Sequence, residues 1–541
     1  MTREQAIQSL RQNPVDLLVI GGGITGAGIA LDAASRGLAV ALVEKDDFAY
    51  GTSSRSTKLI HGGLRYLKQL EFALVKEVGS ERAIVHRLAP HLVVPEKMLL
   101  PLYEKRGLGY WLTSIGLKVY DWLAGVKAED QRKMLTKQQT LAQEPLLKSR
   151  DVKGGALYAE YRTDDARLTI EIIKLAASFG ATVVNYAEAT GFGYREGKVA
   201  SVSVLDRQTH QSFEVKATAV VNAAGPWVDE IRQLNQSKQG KTLHLTKGVH
   251  IVLPYHRLPV RQAIYFDVPD GRMIFAIPRG RVTYVGTTDT DYTSDKGHVF
   301  TSKEDALYLV HAINETFPTV HITLADIESS WAGLRPLIHE EGKSASELSR
   351  KDEIFESPSG LISIAGGKLT GYRKMAERVV DRVLATYFSG NTYRPCHTDQ
   401  LPLAGHGLKQ VSEVQALESK LTLRFGQYGL LGSDITNLVH LYGAQATQIF
   451  EAFERHRSDD AERDLLRAEM AYAIDHEFAV SPLDFLIRRS GMLYFNRPRA
   501  VHYRQYLLDF FAVRFQWTAD ERVMQENKMT LAMDEVIQCR L

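Results

Sequence analysis

The sequence predicts an α/β fold, with a second domain rich in β-strands and a helical C-terminal domain. A short apolar strand, a glycine-rich turn, a helix and a second strand follow one another within residues 15–44. Alternating β-rich runs from 249 to 289 predict the antiparallel strands of the second domain. Beyond about residue 395, helical patterns dominate.

The composition is that of an ordinary globular protein. The chain has 541 residues, 44% of them hydrophobic and 24% charged, which excludes disorder. The net charge is only +2, so no bulk charge favours a nucleic-acid partner. The two cysteines, Cys396 and Cys539, form no CxxC motif, and no zinc or P-loop motif occurs. We therefore expect a cytoplasmic protein of about three domains, without a metal.

The glycine-rich turn after the first strand has the spacing of a dinucleotide-binding site. Gly21, Gly23 and Gly26 fit G-x-G-x-x-G directly after the strand VDLLVI. Gly21 permits the tight turn, Gly23 allows a pyrophosphate close to the backbone, and Gly26 allows the helix to pack on the strand. The free N–H groups at the start of the helix favour phosphate binding.

An acidic residue, Glu44, ends the second strand of this unit. At this position a carboxylate accepts hydrogen bonds from the ribose of an adenosine. A ribose 2′-phosphate would be repelled there, so NADP is disfavoured. This unit alone does not separate FAD from NAD.

The segment after Glu44 favours FAD. Residues 48–72 form a hydroxyl-rich and glycine-rich stretch where an NAD enzyme usually continues with another strand and helix. Ser53, Ser54 and Thr57 are candidates to bind pyrophosphate or ribityl oxygens. The alternative is a polar loop that caps a helix beginning near Leu64.

Two later segments repeat the pattern of strand, glycine turn and helix. The first is ATAVVNAAGPWVDEIRQL, with its turn at Gly225, and the second is GLISIAGGKLTGYRKMAERVVDRVL, with its turn at Gly366 and Gly367. The helix after Lys368 would direct its N-terminus at the carbonyl region of a flavin. A cofactor domain assembled from distant segments is therefore predicted.

The sequence resembles a known enzyme family at these motifs and at TSSRSTKLIHGGLRYL, EYRTDDARL, TKGVH, VGTTDTDY and SSWAGLRPL. It closely resembles the bacterial FAD-dependent, respiratory sn-glycerol-3-phosphate dehydrogenases along essentially its whole length. Members of this family oxidise glycerol 3-phosphate to dihydroxyacetone phosphate and pass electrons through FAD to a membrane quinone.

The resemblance implies a fold of the D-amino-acid-oxidase type. Its Rossmann-like FAD-binding domain would comprise residues 15–90, 155–245 and 355–390. A mixed-sheet substrate domain would comprise residues 91–154 and 246–354, and a helical cap residues 395–541.

The motifs and the resemblance together predict an extended FAD site. In this class, the backbone of a strand near Val183 and Val184 holds the adenine. The predicted FAD-binding residues are Gly21, Gly22, Gly23, Ile24, Thr25, Gly26, Glu44, Lys45, Thr52, Ser53, Ser54, Thr57, Lys58, Leu59, His61, Gly62, Val183, Val184, Ala223, Gly225, Trp227, Gly366, Gly367, Lys368, Leu369 and Thr370.

The resemblance also places a group of mostly basic residues at the substrate phosphate: Arg65, Tyr66, Arg335, Arg350 and Lys368. The chemistry agrees, because a phosphate dianion binds several cations and guanidinium groups bind it bidentately. For each basic residue the alternative is a surface ion pair.

Two histidines are candidates for the catalytic base. Oxidation at C2 requires hydride transfer to N5 of FAD and removal of the hydroxyl proton, and His250 and His61 are suited to the second task. Arg335 is a candidate to stabilise the developing oxyanion. The alternative for each histidine is a purely structural hydrogen bond.

The predicted partners are sn-glycerol 3-phosphate, a membrane quinone and the cytoplasmic face of the membrane. The aromatic and basic stretch from Lys105 to Lys133 suits a membrane interface, but it fits a buried helix as well, and burial is the favoured interpretation. The sequence leaves open whether the chain forms a homodimer.

Three other functions compete with the dehydrogenase. A glycerol-3-phosphate oxidase would use dioxygen, but such oxidases usually carry an additional insertion that is not evident here. A D-amino-acid or sarcosine-type oxidase would need a carboxylate clamp. A flavin-binding protein without turnover need not retain Arg65, His250, Arg335 and Lys368 together.

Overall fold

The structure is a computed structural model that describes residues 1–60, 72–104, 132–338, 352–403 and 407–541. Several predicted positions lie outside the described residues: His61, Gly62, Arg65, Tyr66, Arg350 and nearly all of the segment 105–133.

The strands form two sheets. Their bounds are β1 Val15–Ile20, β2 Val40–Val43, β3 Leu59–Ile60, β4 Val94–Tyr103, β5 Lys133–Thr136, β6 Val152–Arg162, β7 Thr182–Val184, β8 Ala187–Arg195, β9 Lys198–Asp206, β10 Ser212–Asn222, β11 Leu243–Pro254, β12 Ala263–Asp267, β13 Met273–Arg279, β14 Val282–Gly286, β15 Thr290–Asp291, β16 Ser329–Ile338, β17 Glu353–Glu356 and β18 Ile362–Ala365.

The helices pack around these sheets and form most of the C-terminal region. Their bounds are α1 Arg3–Gln12, α2 Ile24–Arg36, α3 Phe72–Leu88, α4 Lys137–Gln143, α5 Asp165–Ser178, α6 Val228–Leu234, α7 Lys303–Thr316, α8 Tyr372–Tyr387, α9 Val411–Phe425, α10 Gly432–Tyr442, α11 Ala446–Arg455, α12 Ala461–Glu477, α13 Pro482–Asp484, α14 Met492–Phe495, α15 Arg497–His502, α16 Arg504–Phe515 and α17 Ala519–Glu535.

The first sheet is mainly parallel, with the order β17-β18-β10-β1-β2-β7. Strands β18, β10, β1, β2 and β7 run parallel, and β17 is antiparallel to β18. Helices α2, α5 and α8 cover one face, while α1 and the hairpin of β8 and β9 cover the other. Because both faces are buried, β1 is apolar at every position from Leu17 to Ile20. The carboxyl ends of five parallel strands therefore meet at one edge.

The second sheet is mixed, with the order β15-β11-β14-β13-β12-β4-β6-β3, and β16 pairs with β11 while β5 pairs with β6. Its pairs are antiparallel apart from β4 with β12. Helix α7 packs against one face, and α12 together with α14–α17 packs against the other.

The second sheet also uses strands from segments predicted to belong to the FAD domain. Strand β3 and all of β6 lie in this sheet, so β6 crosses residue 154, where a boundary is predicted. The domain boundaries themselves stay predictions. In the described part of the chain, no helix has both the length and the apolar character needed to cross a membrane.

Candidate active site

The glycine turn between β1 and α2 has no room for side chains at Gly21 and Gly26. Gly21 adopts φ +113°, and its N–H donates to the carbonyl of Val43 at 2.8 Å. A Cβ on Gly26 would lie 1.9 Å from the carbonyl oxygen of Gly21. Gly23 caps α2 without any side-chain hydrogen bond, and Ser53 Oγ accepts from the N–H of Ile24 at 2.9 Å. The turn therefore presents backbone N–H groups, as a pyrophosphate site requires.

Glu44 connects the end of β2 to this turn. Its Oε2 accepts from the N–H of Gly22 at 2.7 Å, and its Oε1 accepts from the N–H of Asp46 at 3.0 Å. Burial raises the pKa of Glu44 to about 7, although these backbone hydrogen bonds oppose the rise. The carboxylate lies beside the N-terminus of α2, where the ribose of a bound dinucleotide would lie.

The adenine-binding prediction concerns the neighbouring strand. Val183 and Val184 in β7 pair with Leu42 and Val43 of β2, and the N–H of Glu44 donates to the carbonyl of Val184 at 2.9 Å. The structure thus brings Glu44 and β7 together at the edge where the parallel strands end.

The other two predicted glycine segments reach the same edge. Residues after β10 form a 3-10 turn at Gly225–Trp227, and the Lys45 ammonium lies 4.0 Å from the centre of the Trp227 ring. After β18, Gly366 and Gly367 both have positive φ, and Lys368 precedes the 3-10 turn Leu369–Gly371. Helix α8 therefore begins at Tyr372, four residues after Lys368.

The hydroxyl-rich segment 51–60 joins the first sheet to the second. Thr52 Oγ1 donates to the carbonyl of Leu334 at 2.6 Å, and the Trp331 indole donates to the carbonyl of Ser56 at 3.2 Å. A Cβ on Gly333 would lie 2.5 Å from the carbonyl oxygen of Arg55. This segment therefore lies against the face of β16 that carries Trp331, Gly333 and Arg335.

Lys58, predicted to bind the cofactor, is part of a buried ion pair. Its Nζ donates to Asp165 Oδ1 at 2.5 Å and to the carbonyl of Ser54 at 3.1 Å. Asp165 also accepts from the N–H of Ser56 at 2.9 Å. These contacts hold segment 51–60 onto α5, and a role of Lys58 toward the cofactor stays a prediction.

His250 is buried on the same face of the second sheet. Its Nε2 lies 3.0 Å from Thr57 Oγ1, and its ring stacks on Trp331 with 4.8 Å between the ring centres. Its Nδ1 is buried without a hydrogen-bond partner among the described residues. Burial, together with the positive charges of Arg335 and Lys58, holds the pKa of His250 well below its ordinary value. His250 is therefore neutral at physiological pH, as a proton acceptor must be.

Arg335 on β16 and His250 on β11 lie on the same face of the sheet, with Gly248 between them. In the register of β11 with β16, Thr246 pairs with Arg335, Gly248 with Gly333 and His250 with Trp331. A Cβ on Gly248 would lie 2.2 Å from the Arg335 guanidinium. Gly248 thus leaves the space that this guanidinium occupies on the His250 face.

Three consecutive polar residues orient the Arg335 guanidinium. Nη2 donates to Thr287 Oγ1 at 2.8 Å, while Nη1 donates to the carbonyl of Thr288 and to Asp289 Oδ1, both at 3.1 Å. A quarter or less of either charged side chain is exposed, so solvent screens the ion pair only partly.

Sequence reasoning did not single out several residues of this site: Trp331, Asp165, Thr287, Thr288 and Asp289. A signal for Trp331 was present, since it is four residues before Arg335 and side chains alternate along a strand. The partners of Arg335 come from the loop after β14, and only the pairing of β14 with β11 brings them close.

Comparisons with known proteins identify the family of this chain. Residues 16–373 match a family model described as FAD dependent oxidoreductase, and residues 396–522 match one described as the C-terminal domain of alpha-glycerophosphate oxidase. The chain is 48% identical to the aerobic glycerol-3-phosphate dehydrogenase of Bacillus subtilis (strain 168), over 99% of this chain and 97% of that protein. The chain belongs to the FAD-dependent aerobic glycerol-3-phosphate dehydrogenase family.

Other members of this family show the same likeness. The chain is 49% identical to the aerobic glycerol-3-phosphate dehydrogenase of Staphylococcus aureus (strain MRSA252), over 94% of this chain and 92% of that protein. The crystal structure of the glycerol-3-phosphate dehydrogenase from Bacillus halodurans, complexed with FAD, has a TM-score of 0.85 and 42% identity, and covers 99% of this chain and 97% of its own.

The predicted fold and cofactor are confirmed. This member of the family has the D-amino-acid-oxidase type of FAD-binding fold, with a mixed sheet and a helical C-terminal domain, and it is an FAD-dependent oxidoreductase. The glycine turn fits FAD, because a side chain on Gly21 or Gly26 would collide with backbone atoms and the N-cap residue of its helix, Gly23, supplies no side-chain cap. The individual FAD contacts stay predictions.

Glu44→Ala is expected to weaken FAD retention, because the variant loses the carboxylate assigned to the ribose. The measurement is the FAD content of the purified protein after gel filtration, together with the FAD affinity. Glu188→Ala is the matched control. Glu188 lies four residues after the end of β7, but its carboxylate faces Arg207 Nε at 3.7 Å, and both side chains are partly exposed. Undiminished FAD affinity in Glu44→Ala would refute the ribose assignment.

Proposed function

We propose that this protein oxidises sn-glycerol 3-phosphate to dihydroxyacetone phosphate. Hydride leaves C2 for N5 of FAD, the C2 hydroxyl loses its proton, and the electrons then pass to a membrane quinone. One observation carries the proposal. The buried neutral His250 and the oriented Arg335 share one face of the second sheet, and segment 51–60 packs against that face.

The proposed role of Arg335 is to bind the substrate phosphate and to stabilise the developing oxyanion at C2. A guanidinium held by Asp289 and Thr287 keeps its orientation, so little reorganisation is needed when negative charge develops. Arg65, Tyr66, Arg350 and Lys368 are proposed to complete the phosphate site. Several cations are needed, because the phosphate is a dianion.

The proposed role of His250 is to accept the proton of the C2 hydroxyl. Thr57 Oγ1 and the Trp331 ring fix the orientation of the imidazole, and the buried Nδ1 has capacity for a further hydrogen bond. His61 is proposed to share hydroxyl positioning. When bound, FAD supplies the two-electron acceptor for the hydride.

The proposed acceptor is a membrane quinone, reached at the cytoplasmic face of the membrane by peripheral contact. The resemblance to respiratory dehydrogenases supports this acceptor. For the segment Lys105 to Lys133, with its aromatic residues and basic flanks, burial stays the favoured interpretation and a membrane contact is the alternative. A homodimer is compatible with the proposal but is not needed for it.

The deciding experiment is an anaerobic titration of the holoenzyme with sn-glycerol 3-phosphate, followed by the visible absorption of the flavin. Bleaching is expected, because substrate oxidation reduces FAD. A yellow protein that does not bleach would refute the substrate assignment. Reoxidation by a soluble quinone faster than by dioxygen would then separate the dehydrogenase from the oxidase.

His250→Gln is expected to lower kcat/KM by about 10²–10⁴-fold, the usual contribution of a general base. Because the pKa of His250 lies well below its ordinary value of 6.5, the base is expected to stay neutral as the pH falls from 8 to about 6.5. The ratio of wild-type to variant kcat/KM should therefore stay constant over this range, and titration of the substrate phosphate cancels in that ratio.

The control for this prediction is His244→Gln. His244 lies in the same strand, but it is partly exposed and contacts Asp291 at 2.8 Å. Its replacement should leave kcat/KM nearly unchanged. A wild-type to His250→Gln ratio that falls as the pH drops through 6.5 would argue against a base that is already neutral.

A further inference from the structure

A buried ionic cluster joins the C-terminal helical region to the loop that follows Glu44. We infer that Asp47 in this loop is a positioning residue for the adenosine half of FAD, and that residues 477–489 control FAD retention through it. This inference rests on the proposed contact of Glu44 with the ribose.

The Asp47 carboxylate is saturated with donors. It is fully buried. Its Oδ1 accepts from Arg489 Nη2 at 2.9 Å and from Asn185 Nδ2 at 3.1 Å. Its Oδ2 accepts from Arg489 Nη1 at 2.7 Å and from Arg488 Nε. Four hydrogen bonds fix both oxygens, so the loop has one position relative to the C-terminal region.

The same C-terminal segment also binds the end of β7. Asp484 Oδ1 accepts from Arg488 Nη2 at 2.9 Å and from the hydroxyl of Tyr186 at 2.6 Å. Arg489 in turn donates to the carbonyl of Glu477 at 2.7 Å through Nη2. The segment therefore holds the chain just after β2 and just after β7, the two strands predicted to bind the adenosine.

Short backbone hydrogen bonds connect the loop of Asp47 to the glycine turn and to Glu44, where FAD is predicted to bind. Ala49 donates its N–H to the carbonyl of Gly22 at 3.0 Å, and the N–H of Gly22 donates to Glu44 at 2.7 Å. Phe48, which lies between Asp47 and Ala49 in the sequence, is fully buried against Gly22. Its ring packs edge-on to Phe478 with 5.6 Å between the ring centres. A shift of Asp47 would therefore displace the Glu44 carboxylate and the glycine turn together.

The ionic character of this contact supports a positioning role. Apolar side chains of similar volume generally stabilise a buried contact as well as an ion pair does. A carboxylate held by two guanidinium groups instead defines the geometry of the contact, since each hydrogen bond is directional.

The test is the release of FAD from diluted holoenzyme, followed by the rise in flavin fluorescence. Asp47→Asn should raise the dissociation constant of FAD about tenfold, the size expected for coupling between neighbouring groups. The matched control is Asp32→Asn. Asp32 is also fully buried and is paired with Arg36 at 2.6 Å, but it lies eight residues beyond the start of α2, about 12 Å along the helix. Its replacement should destabilise the fold without a comparable change in FAD release.

A double variant separates positioning from general destabilisation. If Asp47 acts through Glu44, Asp47→Asn should change FAD release less than about threefold in a Glu44→Ala background. Full additivity, or FAD release in Asp47→Asn equal to that of wild type, would overturn the inference. If Glu44→Ala itself retains FAD normally, the ribose assignment fails instead.

A milder variant keeps the test decisive if Asp47→Asn does not fold. Arg488→Lys retains the positive charge but loses the planar fork that contacts Asp47 and Asp484 together. Faster FAD release in this folded variant supports the inference, and unchanged release overturns it.

Discussion

Arg335→Ala is expected to lower kcat/KM for sn-glycerol 3-phosphate by about 10²–10³-fold while the protein stays yellow. This is the size of effect seen when one oriented donor to a developing oxyanion is removed. FAD retention is expected, because the hydrogen bonds that hold the Arg335 side chain go to Thr287, Thr288 and Asp289 in the loop after β14. Steady-state kinetics and the visible spectrum of the same preparation give both quantities.

Two further variants define the role of this guanidinium. Arg335→Lys should be intermediate, since it retains the charge but loses the fork that binds an anion bidentately. Arg257→Ala is the control, because Arg257 is a partly exposed arginine in the loop after β11 and is paired with Asp326 at 2.6 Å. Full activity in Arg335→Ala would remove Arg335 from the proposed substrate site.

Glu477→Gln should cause the largest loss of stability among the changes considered. Glu477 binds Arg167 through both oxygens, at 2.6 and 2.8 Å, and Lys174 at 3.0 Å. Arg167 and Glu477 are both fully buried, so removal of the carboxylate leaves the buried guanidinium with Glu171 as its remaining hydrogen-bonded carboxylate among the described residues. The expected cost is about 3–5 kcal/mol. Thermal and denaturant unfolding of the holoenzyme would measure it.

The pH dependence of this contribution has a definite sign. Burial raises the pKa of Glu477, but the charges of Arg167 and Lys174 outweigh it and lower the pKa to about 2. A carboxyl with a lowered pKa in the folded state stabilises the fold above its unfolded pKa of about 4.5. The stability difference between wild type and Glu477→Gln should therefore shrink as the pH falls from about 4.5 to about 2.

The control for this prediction lies on the same helix. Asp475→Asn removes an exposed ion pair with Arg514, and it should change the unfolding free energy by no more than about 0.5 kcal/mol. A Glu477→Gln variant as stable as Asp475→Asn would show that Arg167 does not depend on this carboxylate.

Local sequence patterns were sufficient for the dinucleotide unit. The order of strand, glycine turn, helix, strand and Glu44 is the order of β1, α2 and β2 in the structure. The two later glycine turns also come directly after parallel strands of the same sheet, β10 and β18. These features are readable because strand burial, tight turns and helix N-termini each depend on a few adjacent residues.

The tertiary structure decided which distant residues act together. The environment of His250 comes from Thr57, Trp331 and Arg335, and the anchor of the Glu44 loop comes from Arg488 and Arg489, more than 400 residues further along the chain. The sequence determined the family, the cofactor and the candidate side chains, since their motifs are short and local. Their pairing, burial and protonation depend on strand register and domain contacts, which are long-range interactions that no single segment encodes.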